Sequence, residues 1–222
     1  FHSCKFQSYK NYDYPAYDGA LRWTEITKKA EWSERFDHEA VTFNDKLWVF
    51  GGYNPGQVSG DTYYEDIWSS SDGKTWVLEE AWAPWKGRRG HEVLVFDDGT
   101  GDAIYLIGGF SVDEETGYRN YCNDVWRSTD GVNWEQIKDI SYPDQDASDD
   151  WYPRMHHVCL SVNRNGTDYI YLIAGRTLLD GVNGRYASVY FNDLWRTQNG
   201  INWEKVLCND FGIRSEHAAC TD

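Results

Sequence analysis

Short apolar runs separated by polar loops recur along the chain, and three of them share one pattern. Each run has four residues and is followed by two small ones. The runs are Leu47–Phe50, Ile104–Ile107 and Ile170–Ile173, and the small pairs are Gly51-Gly52, Gly108-Gly109 and Ala174-Gly175. Runs of this length indicate buried strands, and the small residues indicate a backbone that turns or passes close to a neighbour. Long amphipathic stretches are rare, so we expect an all-β fold.

A motif of constant internal spacing follows each run. It begins with Asp-x-Trp, continues with an Asp-Gly or Asn-Gly pair, and ends with a second Trp three residues after the glycine; its copies are 66–76, 124–134 and 193–203. Asp-Gly and Asn-Gly tolerate positive φ, which predicts hairpin tips at Asp72-Gly73, Asp130-Gly131 and Asn199-Gly200. A motif repeated after loops of variable length indicates a repeat architecture.

An Arg-x-x-His sequence precedes each apolar run. Its copies begin at Arg35, Arg88 and Arg154, and a fourth begins at Arg214. One repeat therefore predicts four strands: strand a after Arg-x-x-His, strand b before the small residues, strand c at Asp-x-Trp and strand d at the second Trp. Units 1, 2 and 3 cover about 35–80, 88–138 and 154–207, with partial units over 4–26 and 214–222.

These features together resemble the kelch type of β-propeller over nearly the whole chain. The matching features are the paired glycines, the Arg-x-x-His starts and the strand-d residues Trp76, Trp134 and Trp203. The resemblance implies four-stranded antiparallel blades, three complete and one partial at each terminus, in a single domain over 1–222. We interpret the chain as a portion of a propeller, with a four-bladed ring closed by both termini as the alternative. Ala174 departs from the kelch glycine pair.

Composition narrows the setting and the partners. The chain has 21 Lys+Arg against 36 Asp+Glu, a formal charge of −15, which argues against nucleic acid as a partner. No apolar run approaches the roughly 20 residues of a membrane span, so we expect no membrane insertion. The acidic balance, the first residue Phe1 and the acceptor sequence Asn165-Gly166-Thr167 favour an extracellular or secreted protein glycosylated at Asn165.

Neither the scattered cysteines nor the acidic cluster indicates a bound metal ion or cofactor. Five cysteines leave at least one without a partner in the chain, and their spacing assigns no disulfide pairing; they are Cys4, Cys122, Cys159, Cys208 and Cys220. Carboxylates at Asp144, Asp146, Asp149 and Asp150 are of the type that binds Ca²⁺, but a solvated acidic loop is the simpler interpretation.

The connections from d to a and from b to c emerge on one face, which we call the long-loop face. Four tryptophans lie in the d-to-a loops: Trp32, Trp82, Trp85 and Trp151. Exposed indoles stack on sugars or bind protein surfaces, so these four are candidate ligand-binding residues. The alternative is that they fill gaps between units.

The arginines that begin strand a form a second candidate set. Arg35, Arg88, Arg154 and Arg214 are expected around the mouth of the central channel, where arginines bind carboxylates or phosphates. Kelch propellers that capture acidic peptides use arginines near blade starts, and the resemblance implies that role. The alternative is a structural pair with a carboxylate of a neighbouring unit. A histidine follows each of these arginines at the same spacing, and this repetition indicates an architectural role for the histidines.

The sequence thus favours a binding module that recognises a glycan or a protein surface through its long-loop face. No residue stands out as catalytic, because nucleophile elbows, phosphate-binding loops and Cys/His pairs are absent. Two alternatives remain. One is a sugar-active propeller enzyme similar to sialic-acid epimerases or glycosidases, and the other is a structural propeller within a filament or larger assembly.

Overall fold

The computed structural model describes residues 24–56, 61–113, 116–143, 149–180, 186–206 and 212–220. All regular structure in these ranges is β-strand, which confirms the all-β expectation. Several sequence predictions fall outside the described residues. They are the strand within 4–12, residues 21–23 of the strand before unit 1, and the side chains of Cys4, Cys208, Asp144 and Asp146. Residues 24–26 form no strand. Within the described ranges, no helix is long and apolar enough to cross a bilayer.

Seventeen strands follow one another in the described part of the chain. They are β1 (Glu39–Phe43), β2 (Lys46–Phe50), β3 (Tyr53–Asn54), β4 (Thr62–Tyr63), β5 (Ile67–Ser70), β6 (Val77–Glu80), β7 (Arg88–Arg89), β8 (Glu92–Asp97), β9 (Asp102–Val112), β10 (Arg119–Ser128), β11 (Glu135–Lys138), β12 (Val158–Arg164), β13 (Thr167–Ile173), β14 (Arg176–Asp180), β15 (Tyr186–Tyr190), β16 (Leu194–Thr197) and β17 (Glu204–Val206).

Three antiparallel sheets use the strand order expected within each unit. Unit 1 has the order β1-β2-β5-β6, unit 2 has β8-β9-β10-β11, and unit 3 has β12-β13-β16-β17. The connections from b to c, predicted as loops, instead carry hairpins: β3 pairs with β4 and β14 pairs with β15. In unit 2 the same extension is continuous, because β9 and β10 run through it and β7 pairs with the far end of β9.

The sheets pack face to face in chain order. On β9, Ile104 and Leu106 face the sheet of unit 1, whereas Ala103, Tyr105 and Ile107 face that of unit 3. This follows from the alternation of side chains along a strand. The sheet of unit 2, here called sheet 2 as that of unit 1 is called sheet 1, is therefore buried on both faces. The five residues on β9 are fully inaccessible to solvent.

The c-to-d connections are longer than the predicted tight hairpins and are held by side chains. In unit 1 the Ser70 hydroxyl accepts the Gly73 amide at 2.8 Å, and a carboxylate oxygen of Asp72 accepts the amides of Lys74 and Thr75 at 2.8 Å each. Ser128 with Asp130 and Thr197 with Asn199 repeat the arrangement. Local side-chain bonds of this kind replace the missing strand ladder.

In each of the three units a buried arginine–aspartate pair ties the Arg-x-x-His sequence before strand a to the Asp-x-Trp sequence of strand c. In unit 2 the two terminal nitrogens of Arg88 donate to the two oxygens of Asp124 at 2.8 and 2.9 Å, and one of them also donates to the Gly108 carbonyl. The Trp126 indole donates to the same carboxylate at 2.8 Å. The equivalent sets are Arg35, Asp66 and Trp68, and Arg154, Asp193 and Trp195.

The main chain of the same arginine is hydrogen-bonded to the preceding unit. The Arg88 amide donates to the Tyr64 carbonyl at 3.2 Å, and the Arg88 carbonyl accepts the Gly52 amide at 2.8 Å. Arg154 makes the same two bonds with unit 2, and Arg214 makes them with unit 3. Residues 212–220 form no strand, in contrast to the strand a predicted over 214–222, of which residues 221 and 222 lie outside the described residues.

We predict that Asp124→Ala costs about 3–5 kcal/mol of unfolding free energy, because it leaves the Arg88 guanidinium, 3 % exposed, without its counter-charge. Denaturant unfolding measures the effect. The exposed Asp102 is the control, and Asp102→Ala should change the free energy by no more than about 0.5 kcal/mol. Equal effects in the two variants would contradict the role given to the pair.

Candidate functional site

Three of the four candidate tryptophans are packing residues. Trp85 is 1 % exposed and Trp151 is fully buried, so neither can contact a ligand, and the interpretation of these two as binding residues is wrong. Trp32 is half-buried. Each of the three packs edge-to-face on the strand-d tryptophan of its own unit; the ring distances are 5.9 Å for Trp32–Trp76, 4.6 Å for Trp85–Trp134 and 5.7 Å for Trp151–Trp203.

These three tryptophans occupy a repeated position that can be recognised in the sequence. Each lies three residues before the arginine, so that the unit begins with Trp-x-x-Arg-x-x-His at Trp32, Trp85 and Trp151. Comparing the residues before each arginine would have identified them. Trp82 does not fit this spacing, and its side chain is 77 % exposed.

The strand-a arginines do not form an exposed ring. The guanidinium groups of Arg35, Arg88 and Arg154 are almost completely buried against their aspartates, so they are closed to a ligand. The structural alternative also needs correction, since each carboxylate comes from the same unit rather than from a neighbour. Arg214 is exposed, and its backbone docks on unit 3 as its counterparts dock on units 1 and 2.

The histidines of the repeat pack against the glycines of the preceding unit. A Cβ on Gly51 would lie 2.9 Å from Cε1 of His91, and one on Gly108 would lie 3.0 Å from Cε1 of His157. Both glycines also have positive φ, so their identity follows from space and backbone together. Burial, with the charge of Arg88, lowers the pKa of His91 to about 3, and burial likewise lowers that of His157. Both rings are neutral and architectural.

The third residues of the four Arg-x-x-His sequences meet in one place, which we call the axial pocket. They are Asp37, Gly90, His156 and Glu216, and all four have φ between 54° and 58°. Their backbones form a chain of hydrogen bonds: the Gly90 amide donates to Asp37, the His156 amide to Gly90 and the Glu216 amide to His156, at 3.2, 2.8 and 3.2 Å. The imidazole of His156 lies 3.1 Å from a carboxylate oxygen of Asp37 and of Glu216.

Two half-buried carboxyl groups lie beside these four residues. Glu39 on β1 and Glu92 on β8 line the axial pocket, whose volume is about 200 Å³. Burial, reinforced by the negative charge of Asp37, raises the pKa of Glu39 to about 7. Burial also raises the pKa of Glu92, and the charge of Glu39 adds to it. Removal from water favours the neutral form of an acid.

Cross-strand neighbours form a row of three side chains on the long-loop side of each unit. The rows are Phe36, Tyr53 and Tyr63 in unit 1, Arg89, Phe110 and Tyr121 in unit 2, and Met155, Arg176 and Tyr190 in unit 3. The rings within the first two rows lie 4.8 to 5.2 Å apart. The Arg89 guanidinium lies over Tyr53 at 4.5 Å, which joins the second row to the first.

A cleft of about 440 Å³ opens between the connections of units 2 and 3, and we call it the tyrosine cleft. Its lining consists of Gly117, Tyr118, Arg119, Tyr121, Tyr142, Tyr152, Pro153, Thr177, Leu178 and Leu179. The rings of Tyr118 and Tyr142 are 65 % and 66 % exposed. Sequence reasoning missed Tyr118, Tyr142 and Tyr152 because no repeat marks them. Tyr121 lies three residues before the aspartate of Asp-x-Trp, as Tyr63 and Tyr190 do, so a comparison of the units would have identified it.

The remaining sequence candidates occupy separate positions. Asn165 is exposed in the turn between β12 and β13. Cys122 and Cys159 are buried free thiols, and Cys220 is an exposed one. A carboxylate oxygen of Asp150 accepts hydrogen bonds from the Ser141 hydroxyl and from the Lys138 ammonium, the latter at 3.0 Å. Among the described residues, no three acidic, histidine or cysteine side chains are grouped to hold a metal ion.

Comparison with known proteins identifies similar folds at low sequence identity. No protein-family model and no curated protein matches the chain. The structure described as "Structure of YjhT" has a TM-score of 0.54 and 15% identity, covering 81% of this chain and 54% of that one. The structure described as "Cryo-EM structure of RAG in complex with one melted RSS and one unmelted RSS" has a TM-score of 0.55 and 13% identity, covering 84% and 56%. The chain spans about half the length of these structures, and the likeness concerns the fold alone.

We predict that Trp85→Ala destabilises the protein by about 3–5 kcal/mol, because the indole fills the core between sheets 1 and 2. Trp82→Ala is the matched control, since it removes the same ring from an exposed position and should cost less than about 1 kcal/mol. Thermal and denaturant unfolding of the two variants measure the difference. Similar losses would contradict the assignment of Trp85 to the core.

The raised pKa of Glu39 predicts a pH-dependent stability. Between the ordinary value of 4.5 and about 7, the folded protein keeps a proton on Glu39 that the unfolded chain releases, so the unfolding free energy falls as pH rises through this window. Glu39→Gln should reduce that fall by roughly 1–3 kcal/mol. Unfolding at pH 4.5 and 7.5 measures it, with the exposed Glu135→Gln as control. An unchanged pH dependence in Glu39→Gln would disprove the assignment.

Proposed function

We propose that the chain is part of a kelch-type β-propeller and acts as a carbohydrate-binding module, with the tyrosine cleft as its binding surface. The observation that carries this proposal is the grouping of four tyrosines, Tyr118, Tyr121, Tyr142 and Tyr152, around one open cleft on the long-loop side. The propeller assignment is supported by the repetition of one junction three times. At each junction the main chain of an arginine joins the preceding unit in the same way.

The chemistry of the cleft suits a sugar. A pyranose has apolar C–H faces and a polar rim, and a tyrosine offers an apolar ring face and a hydroxyl that donates and accepts hydrogen bonds. The volume of about 440 Å³ lies within the range of small-molecule sites. Leu178 and Leu179 add apolar contact area, and Thr177 is the remaining hydroxyl among the described lining residues.

Binding is favoured over hydrolysis by the separation of two sets of residues. Most glycoside hydrolases use a pair of carboxyl groups at the scissile bond. The described lining of the tyrosine cleft contains none, whereas the carboxyl groups with raised pKa, Glu39 and Glu92, line the axial pocket and share no lining residue with the cleft. The described lining residues therefore favour holding a sugar over the usual carboxylate mechanism of cleavage.

An extracellular location forms part of the same proposal. Asn165 of the acceptor sequence is exposed at a turn, with φ of 55°, so its side chain is open to modification. The turn joins strands a and b, which places it on the side of the sheet opposite the b-to-c hairpins. Glycosylation there would leave the tyrosine cleft uncovered.

The test is a glycan array followed by calorimetric titration of a retained oligosaccharide. Tyr118→Ala and Tyr142→Ala should each weaken binding at least about ten-fold, since each removes one exposed stacking ring. Both rings are exposed, so the variants should keep the stability of the parent. Trp82→Ala is the control, because it removes an exposed aromatic ring that does not line the cleft.

Two results would overturn the proposal. One is an array on which the folded protein retains no oligosaccharide. The other is a loss of binding in Trp82→Ala that equals the loss in Tyr142→Ala, because the interaction would then lie outside the cleft.

A further inference from the structure

The tyrosine cleft has an unusual charge for this chain. The protein carries 36 acidic against 21 basic residues, yet the described lining of the cleft contains no carboxylate and one arginine, Arg119. A neutral sugar needs no such local reversal of charge. An anionic ligand does, because it would otherwise be repelled by the field of a chain with net charge −15.

Arg119 is placed to act together with a stacking ring. Arg119 and Tyr121 are two residues apart on β10, so their side chains project from the same face of the strand. Arg119 is exposed, and no ion pair among the described residues involves it, whereas Arg89 is paired with Asp37 and Arg176 with Glu216. Its guanidinium is therefore available at the wall of the cleft.

Two further arginines stand behind Tyr121. Arg89 and Tyr121 flank Phe110 in one cross-strand row, and Arg176 begins the strand that continues into Thr177 and Leu178 of the lining. Their carboxylate partners lie 3.7 Å away, beyond hydrogen-bond distance, and Nε of Arg89 is buried without a hydrogen-bond partner among the described residues. The positive charges of Arg176, Arg89 and Arg119 all act on the Tyr121 hydroxyl, against the burial that raises its pKa.

We propose that the ligand of the tyrosine cleft is an acidic carbohydrate, a pyranose that carries a carboxylate on its ring, and that Arg119 binds the carboxylate while a neighbouring tyrosine stacks on the ring. This inference rests on the proposed carbohydrate-binding function. The planar guanidinium matches a carboxylate through two parallel hydrogen bonds. Because Arg119 and Tyr121 are neighbours on one strand face, the acid and the stacked ring must be close together in the ligand.

The experiment compares one sugar in two charge states. Trigalacturonic acid and its fully methyl-esterified form have the same ring and differ in the carboxylates, so calorimetric titration of both isolates the contribution of the acid. We expect the acid to bind at least ten-fold more tightly at low salt, with the advantage shrinking as salt rises.

Matched variants assign the difference to Arg119. Arg119→Gln should remove the preference for the acid, because it weakens binding of the acid far more than binding of the ester, and Arg119→Lys should retain part of the preference. Lys74→Gln makes the same change of net charge at an exposed residue of the c-to-d turn in unit 1, and it should leave the preference intact.

The outcomes separate this inference from the function on which it rests. Equal binding of acid and ester, or retention of neutral glycans alone on an array, overturns the acidic ligand and leaves carbohydrate binding standing. Loss of the preference in Lys74→Gln overturns the role of Arg119 in favour of a general charge effect. Failure of every glycan, acidic or neutral, to bind overturns both proposals.

Discussion

Each repeat is built around a guanidinium that has been removed from water and surrounded by acceptors. Burial alone would raise the pKa of Asp124, but the charge of Arg88 and the hydrogen bonds from Arg88 and Trp126 together outweigh it and lower the pKa of that carboxyl. The pair joins the Arg-x-x-His and Asp-x-Trp sequences of its own unit, while the arginine backbone is bonded to the unit before it. One residue thus couples the folding of a unit to its docking, and half-formed units leave a buried charge unmatched.

The face-to-face packing of the sheets determines where variation can occur. Sheet 2 is covered on both sides, so the residues of β9 are confined to apolar side chains that interdigitate with two cores. Beyond the glycines, strand b of units 1 and 3 passes into a separate hairpin that extends past the core. The tyrosine cleft is built from the extensions of units 2 and 3 together with the d-to-a connection between them, whereas the arginine, the aspartate and the strand-d tryptophan recur in every unit.

Much of the fold is encoded in local features that a single sequence displays. The apolar runs, the Asp-Gly turns and the repeated arginines specify strands, their order and the limits of units, because each reflects a constraint satisfied within one repeat. The partner of Arg35 was assigned to the wrong unit, since the spacing of repeated residues does not show which copies meet in space. Trp85 and Trp151 were misread for the opposite reason: they lie in connections between strands, yet they are core residues.

The candidate site was less accessible to sequence reasoning. Tyr118, Tyr142 and Tyr152 come from three stretches of chain without a shared motif, and their proximity depends on the docking of unit 3 on unit 2. Nor does composition reveal that Arg119 lies in a cleft whose described lining contains no acidic residue. Repetition identifies the scaffold, whereas a binding surface made of non-repeated loops becomes visible when the units are placed side by side.

The chain of backbone hydrogen bonds at the axial pocket separates architecture from side-chain identity. Asp37, Gly90, His156 and Glu216 adopt the same conformation and are linked through main-chain atoms, so the four positions tolerate an acid, a glycine and an imidazole in turn. The side chains of Asp37, His156 and Glu216 therefore set the polarity of the axial pocket without taking part in the main-chain bonds that attach neighbouring sheets. Gly90 is the exception, because a Cβ there would lie 2.6 Å from the imidazole of His156, so the chemistry of the pocket can vary at three of its four backbone positions.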